Sequence, residues 1–82
     1  MVNEETVSKL KKILSAQLGM DETDIELTSR LVDNLGADSL DMIEIVMDVE
    51  HAFGITVSDD EYANCNTVSL IADLIEKKLK DK

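Results

Sequence analysis

Ser39, His51 and Cys65 are the side chains whose types suit nucleophilic or proton-transfer chemistry; the chain has one histidine and one cysteine. A serine nucleophile needs its base within hydrogen-bond reach. His51 follows Ser39 by twelve positions within one predicted helix, about 18 Å along its axis. No Ser–His pair forms inside one chain, which excludes a small hydrolase. Cys65 has no partner for an internal disulfide and no metal-type spacing around it. It reads as a small core residue. Asp33 to Glu44 spans twelve positions with an acid at each end, as a calcium loop does. Leu35 and Ala37 then occupy ligand positions, and Asp38 stands where that loop needs glycine, so the EF-hand reading fails.

Ser39 remains, as a place of attachment. With Asp38 as N-cap and Asp41 at N3, Ser39 is the first residue of a helix. Its hydroxyl then stands beside unpaired N–H groups and the positive end of the helix dipole. An anionic group esterified to that oxygen is stabilised there, as phosphates are at helix starts. Spacing alone equally allows a serine that only begins a helix.

The elements that position this serine are helical. Residues 4–18 place Val7, Leu10, Ile13, Leu14 and Leu18 at helical spacing, between Asn3 as N-cap and Gly19 as stop. Residues 20–37 read as a long loop anchored by Ile25, Leu27, Leu31, Val32 and Leu35; that length suggests a packed or functional loop. A second helix spans 39–53. Ser58 and Glu61 form a capping box that opens a short third helix ending near Asn64 or Cys65. Thr67 caps a last helix whose Val68, Ile71, Ala72, Ile75 and Leu79 share a face, with lysines in its final turn. Ile55-Thr56-Val57 has strand character but no strand to pair with. The expected fold is all-α: three longer helices and one short one, in a single domain over residues 1–82.

Composition and charge narrow the function. At 82 residues the chain buries about 60–65% of its unfolded surface, which makes for modest stability. Phe53 and Tyr62 are its only aromatics, so the core is aliphatic. The net charge is −10 and the pI near 4.2, which argues against nucleic acid or an anionic membrane as partner. No apolar run is long enough to span a bilayer, and Met1-Val2-Asn3-Glu4-Glu5 resembles neither a signal peptide nor a transit peptide. A cytoplasmic monomer is expected, with an organellar mature form as the alternative. Lys9, Lys11, Lys12 and Arg30 lie early, and Lys77, Lys78, Lys80 and Lys82 lie last. Between Leu31 and Glu76 there are eleven acids and no Lys or Arg. Such a field steers cationic partners and costs stability by self-repulsion, which salt or divalent cations relieve.

The second helix divides into two faces. Met42, Ile45, Val46, Val49 and Phe53 gather on the predicted core side. Leu40, Glu44, Met47, Asp48 and His51 lie opposite, with Asp41 on the flank. Leu40 and Met47, ringed by carboxylates, have the form of an apolar interface centre with a charged rim. A basic protein partner is the reading that suits this face.

Asn34-Leu35-Gly36-Ala37-Asp38-Ser39-Leu40-Asp41, followed by Ile43-Glu44-Ile45-Val46-Met47, resembles the acyl carrier proteins of type II, dissociated fatty acid synthesis. The likeness extends over the whole chain: helix, long loop, Asp-Ser-Leu helix, Phe53-Gly54-Ile55 turn, acidic short helix and Thr67-Val68 last helix. The resemblance implies that Ser39 is esterified by 4′-phosphopantetheine, whose own thiol holds the growing acyl chain as a thioester. The domain then catalyses nothing and carries intermediates between separate enzymes. It further implies contacts from basic patches of a phosphopantetheinyl transferase and of the synthesis enzymes to Asp38, Leu40, Asp41, Glu44, Met47, Asp48 and Glu50. An acyl pocket lined by Leu31, Val32, Val46, Val49, Val57, Cys65 and Ile71 follows in the same way. A carrier of polyketide, aminoacyl or other specialised cargo is one rival; an acidic adaptor without a prosthetic group is another. Val57-Ser58 stands where many relatives have Ile-Pro, Tyr62 where a small residue is usual, and Cys65 where a branched aliphatic is usual. His51 and Ala52 replace acids. These departures bear on pocket shape and partner preference and leave the attachment site intact.

Overall fold

The computed structural model describes residues 3–81. Met1 and Val2, part of the N-terminal reading, and Lys82, part of the basic C-terminal cluster, lie outside the described residues. Four α-helices follow one another: α1 (Glu4–Leu18), α2 (Ser39–Phe53), α3 (Asp59–Ala63) and α4 (Val68–Lys80). Three are long and one is short, and the described residues form no strand. No helix among them is long and apolar enough to cross a membrane.

Each helix starts where its cap dictates. The Asn3 side chain accepts from Glu5 N at 2.8 Å and opens α1, which ends on Gly19 in the left-handed region at φ 66°. Leu10 and Leu14 of α1 are wholly buried, while Val7, Ile13 and Leu18 pack on the rim of the core. In α4, Val68, Ile71, Ala72 and Ile75 are buried, and Leu79 is half-buried. Glu76 joins the start of α1 to α4 by accepting from Asn3 N at 3.0 Å. Hydrogen bonding from the Thr6 side chain, and then from that N–H, holds its carboxyl below the ordinary value.

The buried stripe of α2 is narrower than its spacing predicts. Only Ile45 and Val49 are buried; Met42, Val46 and Phe53 are half-buried. Phe53 closes the end of α2 beneath the Lys9 ammonium, which sits 5.8 Å from the ring centroid. α3 ends at Ala63, one residue before the predicted boundary. Ile55, Thr56 and Val57 alternate buried, exposed and half-buried, so the strand-like pattern persists without a ladder.

The long loop is fastened to the start of α4. Val68 N donates to Ser29 O at 3.1 Å, Ser69 N to Leu27 O at 2.9 Å, and Leu31 N to Asn66 O at 3.0 Å. The first two bonds satisfy N–H groups that α4 cannot pair internally, and the third ties the loop to the residue before the N-cap of α4. Ile25 and Leu31 are buried anchors, and Leu27 and Leu35 are half-buried. Val32, expected to anchor the loop, is 60% exposed. The neighbouring chain turns tightly, and this turn directs the Val32 side chain outward. The loop also contains one 3-10 turn, Glu22–Asp24, opened by Asp21; three residues are too few to leave a periodic signal in the sequence.

Candidate functional site

The segment before Ser39 is a tight, internally bonded turn. Asn34 N and Leu35 N both donate to Arg30 O, Gly36 N to Val32 O, and Ala37 N to Leu31 O. The Asn34 side chain accepts from Arg30 N at 2.7 Å. Gly36 takes φ 73°, a left-handed conformation costly for a residue with a Cβ. A Cβ there would meet nothing within 4 Å, so the backbone angle, not crowding, selects glycine. Ala37 is buried, and Asp38 then turns the chain into α2.

Asp38 and Asp41 form a reciprocal capping box. Asp38 Oδ1 accepts from Asp41 N at 2.8 Å, and Asp41 Oδ2 accepts from Asp38 N at 3.2 Å. A helix start leaves four N–H groups without internal partners. The box takes those of Asp38 and Asp41 and does not reach those of Ser39 and Leu40. Ser39 itself is exposed. An accessible hydroxyl thus stands beside two outward N–H groups at the positive end of a helix of 15 residues, a setting that favours a phosphate ester. The sole histidine lies on the last turn of the same helix, so no imidazole activates the hydroxyl. The arrangement suits a residue that receives a group rather than one that attacks a substrate.

An open hollow of about 610 Å³ lies beside Ser39, bounded by the Arg30–Asp33 turn, the start of α2 and the Tyr62–Asn66 end of α3. Deeper, between α2, α3 and α4, is a small cavity of about 20 Å³ whose walls are apolar. The seven predicted pocket residues divide between these spaces. Leu31 and Val32 line the outer hollow, Val46, Val49, Val57 and Ile71 line the inner cavity, and Cys65 lines both. Burial, and then the nearby Glu61 carboxylate, push the Cys65 thiol up. It stays a protonated donor, bonded to Glu61 O at 3.4 Å.

The predicted contact residues on α2 also have distinct surroundings. Leu40 and Met47 are 62% and 55% exposed, and Ile43 between them is 46% exposed. Ile43 is a residue that the sequence reading missed. Its spacing of three after Leu40 and four before Met47 completes a helical stripe and was available as a signal. Glu44 and Asp48 are exposed. The Gln17 side chain of α1 donates to Glu44 Oε2 and, at 3.4 Å, to Asp41 Oδ1. Glu50 is half-buried, and its Oε2 accepts from Val57 N at 2.9 Å. One Glu50 oxygen therefore braces the loop into α3, a task its sequence position did not reveal.

Residues 8–75 match a family described as "Phosphopantetheine attachment site". The chain is 47% identical over 76 residues to an acyl carrier protein of Thermotoga maritima, covering 93% of this chain and 94% of that one. It is 45% identical over 69 residues to an acyl carrier protein of Buchnera aphidicola, covering 84% and 88% respectively. With an attachment-site family spanning most of its length and relatives this similar over nearly their whole lengths, the chain belongs to the phosphopantetheine attachment-site family and, within it, to the acyl carrier proteins.

Proposed function

We propose that Ser39 is the residue esterified by 4′-phosphopantetheine, and that the protein carries growing fatty acyl chains to the separate enzymes of fatty acid synthesis. The observation that carries this reading is the exposed Ser39 hydroxyl at the start of α2, beside the two N–H groups the capping box leaves over. The arm supplies the thiol on which an acyl group is held as a thioester. This chain's own residues orient and shelter. The Ser39 and Leu40 N–H groups would stabilise an ester phosphate on Ser39, and the outer hollow would give the arm a surface to lie on.

The protein catalyses no step itself, and residues 1–82 act as one carrier domain. Leu40, Ile43 and Met47 form the apolar centre met by partner enzymes, with Asp38, Asp41, Glu44 and Asp48 as the charged rim; Glu50 contributes at its edge. A charged rim favours rapid, reversible association over tight binding, which a carrier visiting several enzymes requires. Leu31 and Val32 meet the arm or the near end of the chain, while Val46, Val49, Val57, Cys65 and Ile71 shelter its far end. The tether raises the local concentration of the acyl group at each visited enzyme. The carrier works as a monomer in the cytoplasm.

Intact mass before and after incubation with coenzyme A and a phosphopantetheinyl transferase tests the reading, with Ser39→Ala as control. A gain of one phosphopantetheine in the wild type alone is expected. No gain by folded, initially unmodified protein would reject it and favour the acidic adaptor.

A further inference from the structure

The outer hollow and the inner cavity share a wall. Met42, Tyr62 and Cys65 are the residues that line both spaces. Met42 belongs to α2, whose Ile45 and Val49 are fixed in the core. Cys65 is itself buried, and its N–H donates to Tyr62 O at 2.9 Å. Tyr62 is only half-buried, and α3, which carries it, has five residues, none of them buried. A helix of that length does not persist without outside support. Its support comes from the Ser58–Glu61 capping box, from Glu50 holding Val57 N, and from Lys78 of α4. Lys78 Nζ lies 2.8 Å from Glu61 Oε1, with both side chains only 28–30% exposed.

We infer that Tyr62 decides which acyl chains the inner cavity admits, and that the Glu61–Lys78 pair sets how readily the wall carrying Tyr62 opens. The inference rests on the carrier reading above, since without an acyl group at Ser39 there is nothing to admit. The inner cavity, about 20 Å³, has room for about one water and none for an acyl chain. A chain therefore enters by displacing wall atoms. α2 resists displacement through its buried residues, whereas α3 is held from outside. Tyr62 is the bulkiest of the three shared side chains and stands on this less anchored element. Lys78 lines neither space, so its effect is on opening and not on cavity shape.

The test loads the holo-protein with acyl chains from acetyl to tetradecanoyl and follows thioester cleavage by hydroxylamine through intact mass. Tyr62→Ala is expected to move the best-protected chain length upward by at least about two carbons. Tyr62→Leu serves as a second, better-packed variant, with helix content checked by circular dichroism. Lys78→Met is expected to leave that length unchanged and to speed cleavage of sheltered chains about two- to fivefold, without altering cleavage of the acetyl thioester. An unchanged length profile in both Tyr62 variants overturns the role given to Tyr62; an unchanged rate in Lys78→Met overturns the latch. If wild type takes up no arm, the carrier reading fails, and the mass reports this before any variant is compared. If wild type takes the arm but protects no chain of any length, the attachment reading survives and this inference falls.

Discussion

α2 and α3 begin with the same device and have different fates. Asp38 with Asp41 and Ser58 with Glu61 are both reciprocal capping boxes, so the start of each helix is fixed by local hydrogen bonds. α2 continues for 15 residues and buries Ile45 and Val49. α3 stops after five and buries none. Its N3 acid is instead bound to Lys78 of another helix, and the residue before its N-cap is held by Glu50 of α2. Capping decides where a helix starts, and burial decides how firmly it stays. That difference suits the proposed function, in which α2 presents Ser39 in one fixed pose while α3 stands over a cavity that enlarges for the acyl chain.

The largest effect that sharpens this contrast is in the core. Ile45→Ala should cost about 2–5 kcal/mol of unfolding free energy in a urea titration, whereas Tyr62→Ala should cost clearly less. Equal losses would break the contrast, because they would make α3 as well anchored as α2.

Gly36→Ala should follow at about 1–2 kcal/mol, since alanine is strained at that positive φ. The substitution should also slow modification of Ser39 by the transferase, because the turn delivers the serine to the surface. A variant with unchanged melting temperature and modification rate would show that the turn is not the positioning element.

Removing the caps should cost about 1 kcal/mol or less each, but with different readouts. Asp38→Ala should lower the melting temperature of the whole domain. Ser58→Ala should leave it nearly unchanged and selectively raise amide hydrogen exchange in residues 59–63. A uniform rise in exchange throughout the protein would mean that α3 does not open independently.

The smallest effects concern charge. The Lys78 hydrogen bond, and then the Ser58 N–H, hold the Glu61 carboxyl at about 2, against a reference of 4.5. A depressed carboxyl contributes stability that is complete above its unfolded value and is lost as pH falls through its folded one. The hold on α3 should therefore weaken between about 4.5 and about 2. In Lys78→Met the Glu61 titration followed by NMR should move upward, toward the reference. A wild-type Glu61 titrating near 4.5 would remove the latch from the comparison. Millimolar Mg²⁺ or added salt should raise the melting temperature by screening the central acids, and a melting curve indifferent to salt would reject that account.

What was legible in the sequence was mostly local. Asn3, Asp38, Ser58 and Thr67 cap the four helices as their positions predict, because an N-cap bond spans only two or three residues and is written in adjacent letters. The buried Leu10 and Leu14 of α1 and the buried face of α4 likewise follow from period, whereas the burial of the polar Thr6 does not. The position of Ser39 at N1 follows from Asp38 and Asp41, and its surroundings were readable to that extent. Val32 was misplaced because apolar character in a loop gives no direction; that depends on the turn from Arg30 to Ala37. Ile43 was overlooked although its spacing announced it. Glu50 stands among the expected partner contacts, and its bond to Val57 N is not legible because nothing near it in the chain says that this N–H needs an acceptor.

The sequence by itself thus determined the helices, their starts, the serine at the head of α2 and the acidity of the central region. Each of these arises from interactions between residues a few positions apart, or from composition. Only the tertiary structure decided that the expected pocket is two spaces, that Met42, Tyr62 and Cys65 form the wall between them, and that Lys78 reaches Glu61. Those facts depend on how separate helices lie against one another, and packing of distant side chains into a shared volume leaves no periodic mark in the chain.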